Sequence, residues 1–164
     1  MNTGQMMLTI GAMVLLATLM LRINTSNLQT DSVRAEAQYG VIATSLITSI
    51  MEKAKSLAFD AETDSNSVTS NSQLTPVLNL GPAGGETYDT FNDFDDFNGY
   101  TKVDSSMPSA VFDISCEVFY IHPNNLKAKH NLRTWHKKIT VKVSSEFMED
   151  TIKQSSIYSY WYFR

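Results

Sequence analysis

Cysteine is almost absent from this chain of 164 residues, and Cys116 stands alone. A single thiol excludes an intrachain disulfide and any zinc site built on paired thiolates, and inside an alternating segment it reads as a small buried hydrophobe. Proline is missing until Pro76, so nothing forces a helix to break before that point. Charge is missing from the first 21 positions. The formal net charge of −4 provides no basic field to gather phosphates, which argues against nucleic acid as a partner. Also lacking are a G-x-S-x-G nucleophile turn, a glycine-rich phosphate loop and a haem attachment motif. His122, His130 and His136 lie eight and then six residues apart, with no i, i+4 pair to suit a metal. These absences favour a protein that is not an enzyme and carries no cofactor.

What is present is uneven. Met6 to Leu21 (MMLTIGAMVLLATLML) is an uncharged, nearly all-apolar run ending at Arg22. As a helix it covers about 24 Å, short for a membrane span but extended by Ile23 and a snorkelling Arg22. Three readings compete: a membrane anchor, a cleaved secretory signal and a buried core helix. A signal would need a basic start, and Met1-Asn2-Thr3-Gly4 has none. A core helix apolar on every side would need more protein than this chain has to wrap it. The anchor is the preferred reading.

Asn24-Thr25-Ser26-Asn27 are weak helix formers, because their side chains compete for the backbone. From Asp31 the helical period returns through Val33, Ala37, Val41, Ala43, Leu46, Ile47, Ile50, Met51, Ala54 and Leu57. The pattern predicts one helix over 5–58, roughly 80 Å long, whose apolar first half must find lipid or other copies of itself. Residues 59–109 read as a variable loop region: Asp60 to Ser72 is a solvated polar stretch, followed by Pro76, Pro82 and several glycines. Over 110–164 three segments alternate. Phe112, Ile114, Cys116, Val118 and Tyr120 oppose Asp113, Ser115 and Glu117; Trp135, Ile139, Val141 and Val143 oppose His136, Lys138, Thr140 and Lys142; Ile157, Trp161 and Phe163 oppose Tyr158, Tyr160 and Tyr162. The expected fold is α+β, a long N-terminal helix whose amphipathic half covers an antiparallel sheet of three or four strands.

This order of elements resembles type IV pilins and the pseudopilins of type II secretion. Gly4-Gln5-Met6-Met7-Leu8-Thr9 resembles a prepilin peptidase site, with Gly4 ending a leader over 1–4 and Gln5 beginning the mature chain. The string Phe91-Asn92-Asp93-Phe94-Asp95-Asp96-Phe97-Asn98-Gly99-Tyr100 is similar to acidic loops of pilin-like proteins. The resemblance implies insertion in the inner membrane, self-association into a periplasmic or cell-surface filament, and handling by a pilus or secretion machine. It also implies that the stretch near Asn24 to Asn27 unwinds when subunits pack. The residues that would do the work are Met6, Leu8, Thr9, Ile10, Val14, Leu15, Leu19 and Leu21. Thr9 departs from the family, which usually carries a Glu there to meet a neighbour's amino terminus, and a hydroxyl cannot supply that charge pair.

Asp93, Asp95, Asp96 and Asn98 could offer oxygens to calcium, and the resemblance implies calcium near this part of the fold. Phe97 stands where an EF-hand needs a ligand. The preferred alternative is a turn anchored by Phe91, Phe94 and Phe97, with solvated carboxylates and a bend at Asn98-Gly99, so that Asp95→Asn costs little. The aromatic run 158–164 reads first as a strand and second as a subunit contact. A filament subunit is thus the first functional expectation. The other is a single-pass, envelope-anchored binding module that recognises a partner through the acidic loop without polymerising.

Overall fold

The computed structural model describes residues 2–108 and 110–160. The architecture is α+β, in the chain order α1 (Thr3–Ser56), α2 (Ala61–Ser65), β1 (Thr101–Asp104), β2 (Phe112–Tyr120), β3 (His136–Ser144) and β4 (Ile152–Ser159). Compact packing divides the chain into Met1–Gln38 and Tyr39–Arg164.

In the first unit the backbone is helical from Thr3, with no proline to interrupt it. The weak formers around Thr25 stay helical because their hydroxyls return to the helix itself. Thr25 Oγ1 donates to the Leu21 carbonyl at 2.7 Å, and Thr30 Oγ1 to the Ser26 carbonyl at 2.9 Å. All side chains over 2–34 are exposed.

In the second unit α1 buries Ala43, Ile47, Ile50, Met51 and Ala54, spaced by three and four residues along one face. Val33 and Val41, expected on that face, are instead exposed. The face is set by Tyr39, Ile42 and Leu46, which half-bury beside the core residues. These residues pack with the sheet's dry face, where Phe112, Ile114, Cys116, Val118 and Tyr120 of β2 meet Ile139, Val141 and Val143 of β3 in one core.

The sheet is an antiparallel meander in the order β1-β2-β3-β4, with Cys116 opposite Val141 and Val118 opposite Ile139. β1 lies within the stretch expected to be loop; it has only four residues and three of them are exposed, so it carries no alternation to read. β4 corrects the third alternation. Tyr158 is buried and Ile157 is 40% exposed, because Tyr158 pairs with the inward Lys137 and Ile157 with Lys138. Trp161, Tyr162 and Phe163 lie outside the described residues.

The polar stretch after α1 is not simply solvated. Asp60 caps α2 and is fully buried, and Val68 and Leu74 join the core.

Candidate functional site

Two features can carry function, one in each unit. In the first, α1 presents an apolar stretch long enough to cross a membrane, none of it buried. Met6, Leu8, Ile10, Val14, Leu15, Leu19 and Leu21 are each about half or more exposed, Leu8 reaching 76% and Leu15 72%. Gly4 and Gln5 sit in the first turn; a side chain added at Gly4 would meet nothing. Thr9 Oγ1 donates to the Met6 carbonyl at 2.9 Å, so its hydroxyl is engaged by its own helix.

The second feature is a buried charge cluster. The acidic loop is clipped to the end of α1 by the Phe94 amide, which donates to the Ala58 carbonyl at 2.9 Å, and by the Ala58 amide, which donates to Asn92 O. Phe94 and Phe97 are fully buried and Phe91 nearly so, the expected anchors. Gly99, at φ +79°, makes the bend in a conformation that a side chain would strain. The carboxylates, however, are not solvated. Asp93, Asp95 and Asp96 are as buried as the aromatics.

Among the described residues no buried side-chain oxygen lacks a hydrogen-bond partner. Asp93 Oδ1 accepts from the amides of Asp95 (2.7 Å) and Asp96 (3.2 Å), and Asp96 Oδ2 from those of Asn92 and Asp93. Asn98 bridges Leu80 O and the Val118 amide. Asp95 Oδ1 is in contact with Lys137 Nζ, which comes from β3 and is itself fully buried. That ammonium also donates to Asp60 Oδ2 at 2.7 Å and to Phe59 O at 2.8 Å, so all three of its protons are placed. The rings of Phe59 and Tyr120 stand 4.7 and 5.4 Å from it. Asp60 is the most heavily served carboxylate, accepting also from Thr75 N and Oγ1, Glu62 N and Tyr120 OH.

These environments separate the three carboxyls. Burial pushes Asp60 up, but the charge and hydrogen bonds of Lys137 and Thr75 outweigh it and hold the group below the usual range. Burial raises Asp95 despite the pull of Lys137. Asp93, raised by burial and then by the charge and hydrogen bond of Asp95, is pushed up to about 8. At neutral pH Asp93 is thus mostly a neutral acid, next to Asp95.

Asp93, Asp95, Asp96 and Asn98 are each engaged by groups of the protein itself, and among the described residues no group of three or more His, Cys, Asp or Glu is arranged to hold a metal. A lysine ammonium supplies the positive charge that the loop needs. The strand pattern does not single this residue out, although its parity is visible: Lys137 shares the face of Trp135, Ile139, Val141 and Val143. Asp60, expected in a solvated loop, is instead held by the Asp60-x-x-Thr63 capping box, a signature present in the sequence. The three histidines stay apart from the cluster. His136 Nδ1 bonds Ser159 Oγ at 2.7 Å, while the rings of His122 and His130 lie 5.4 Å apart. Cys116 is buried, and burial pushes its thiol up to about 12, which suits a packing residue and not a nucleophile.

Comparison with models of known protein families, with curated proteins and with solved structures finds no match to this chain.

Proposed function

We propose that this protein is the structural subunit of a pilus-like or pseudopilus-like filament, held in the inner membrane by residues 5–21 until it assembles. The observation that carries the reading is the uncharged stretch Met6 to Leu21, helical and exposed around its whole circumference. A surface of that size and apolarity is unstable in water and needs lipid or neighbouring helices around it. The second unit has a core of its own. The resemblance of the element order to pilins supports the same arrangement. With Thr9 engaged by its own helix, copies would associate through apolar packing and not through a buried Glu.

Shearing cells that make this protein and viewing the released material by negative stain tests the proposal. Filaments containing this chain by mass spectrometry are expected. Abundant membrane-bound chain under assembly-permissive conditions, with no filament containing it, would instead favour the single-pass binding module.

A further inference from the structure

The buried cluster in the second unit brings together the parts of a condensation reaction. Lys137 Nζ, a nucleophile once it loses its proton, touches the carboxyl of Asp95. A second carboxyl, Asp60, accepts from the same nitrogen at 2.7 Å. Water is kept out: Lys137 and Asp60 are fully buried, Asp95 is 2% exposed, and aromatic rings of Phe59 and Tyr120 face the nitrogen. We propose that Lys137 and Asp95 condense to an internal amide, an isopeptide bond that ties β3 to the acidic loop between α2 and β1, with Asp60 moving the protons.

The step balances without any co-reactant. A proton passes from Nζ to Asp95 within the ion pair, giving an amine and a carboxylic acid. The Nζ lone pair attacks Asp95 Cγ. Asp60 takes a proton from the nitrogen and returns one to the departing Asp95 oxygen. The Nζ–Cγ bond forms, the Cγ–O bond breaks, and one water leaves. Nothing is oxidised or reduced.

The division of labour follows from the hydrogen bonds. Asp60 is fixed by donors from Thr75, Glu62 and Tyr120 as well as Lys137, which keeps it ionised and able to act as a base. Among the described residues the side-chain nitrogen that reaches Asp95 is that of Lys137, and burial raises that carboxyl, so Asp95 is the group more easily made neutral and electrophilic. Held partners of this kind can act at effective concentrations of about 10⁵ M or more, enough to drive an amide condensation that is negligible between free side chains.

The test is the mass of the full-length protein, purified, denatured and reduced. The wild-type chain is expected to be one water lighter than its own sequence requires, whatever its N-terminus, and proteolysis should yield a branched peptide joining Lys137 to Asp95. Lys137→Arg, which keeps the cation but not the nucleophile, and Asp95→Ala should both restore the full mass. Asp60→Asn should slow the reaction roughly a hundredfold, leaving most of the purified chain unlinked. A wild-type chain at full mass overturns the proposal irrespective of how any variant folds. A branch at Asp60 would overturn the assignment of roles, and so would undiminished bonding in Asp60→Asn.

Discussion

Replacing Asp93 with asparagine should remove most of the loss of stability that the second unit suffers as pH rises toward neutral. Asp93 is 3% exposed and its carboxyl is pushed up to about 8, against an unfolded value of 3.8. Between those limits the folded chain holds a proton that the unfolded chain has released, so stability falls as pH rises. One proton of such linkage is worth about 1.4 kcal/mol per pH unit, or roughly 3 kcal/mol between about pH 5 and pH 7.5. Burial is the larger cause of the shift, so the trend persists whether or not Asp95 has condensed. Asparagine is close in shape to the protonated acid; its Oδ1 can accept from the amides of Asp95 and Asp96 as Asp93 does now, and its Nδ2 can donate to Asp95. Urea unfolding of wild-type and Asp93→Asn chains across this range is the assay. The variant should match the wild type near pH 5 within about 1 to 2 kcal/mol and exceed it by several near pH 7.5. Equal slopes in the two proteins would refute the reasoning, as would a wild type that gains stability with rising pH.

Asp60 works in the opposite sense wherever Lys137 keeps its ammonium, as it does in the Asp95→Ala chain. There its carboxyl is held below the usual value, so its contribution is present above about pH 4 and is lost as pH falls through its lowered folded value; adding Asp60→Asn to Asp95→Ala should reduce the acid-side loss in a pH series of melting temperatures. Phe94→Ala should cost about 3–5 kcal/mol in denaturant unfolding, because the ring is fully buried and lies 5.0 Å from that of Tyr158; a cost below about 1 kcal/mol would remove the loop from the core. A chelator should leave the melting temperature of the second unit unchanged, since protein donors already meet its buried carboxylates; a drop restored by calcium would contradict this. Gly4→Leu should block any leader removal, read as intact mass beside the wild type, and a wild-type chain that is never shortened would end that expectation.

Much of this fold is legible because its strongest signals are local. The absence of proline and the three- and four-residue spacing from Ala43 to Ala54 define α1, and parity along Phe112 to Tyr120 places β2 with the correct face inward. The aromatic anchors and the Gly99 bend are legible for the same reason. What stays hidden depends on distant partners. A lysine within a strand reads as exposed unless its counter-charges are known, and those of Lys137 lie 77 and 42 residues away, at Asp60 and Asp95. Once Lys137 turns inward, its cross-strand neighbour Tyr158 must follow, and that reverses the expected face of β4. The buried acidic loop follows too, for its carboxylates are tolerable in the core only where an ammonium and backbone amides receive them.

Residues 5–21 are proposed to hold the protein in the membrane while the second unit folds by itself. Alkaline extraction of membranes from cells making the full chain, and from cells making a chain that begins at Arg22, tests it most directly. The full chain should remain in the membrane pellet, and the shortened one should appear in the supernatant as a monomer with β structure by circular dichroism. A shortened chain that still sediments with membranes, or a full chain released by alkali, would contradict the account.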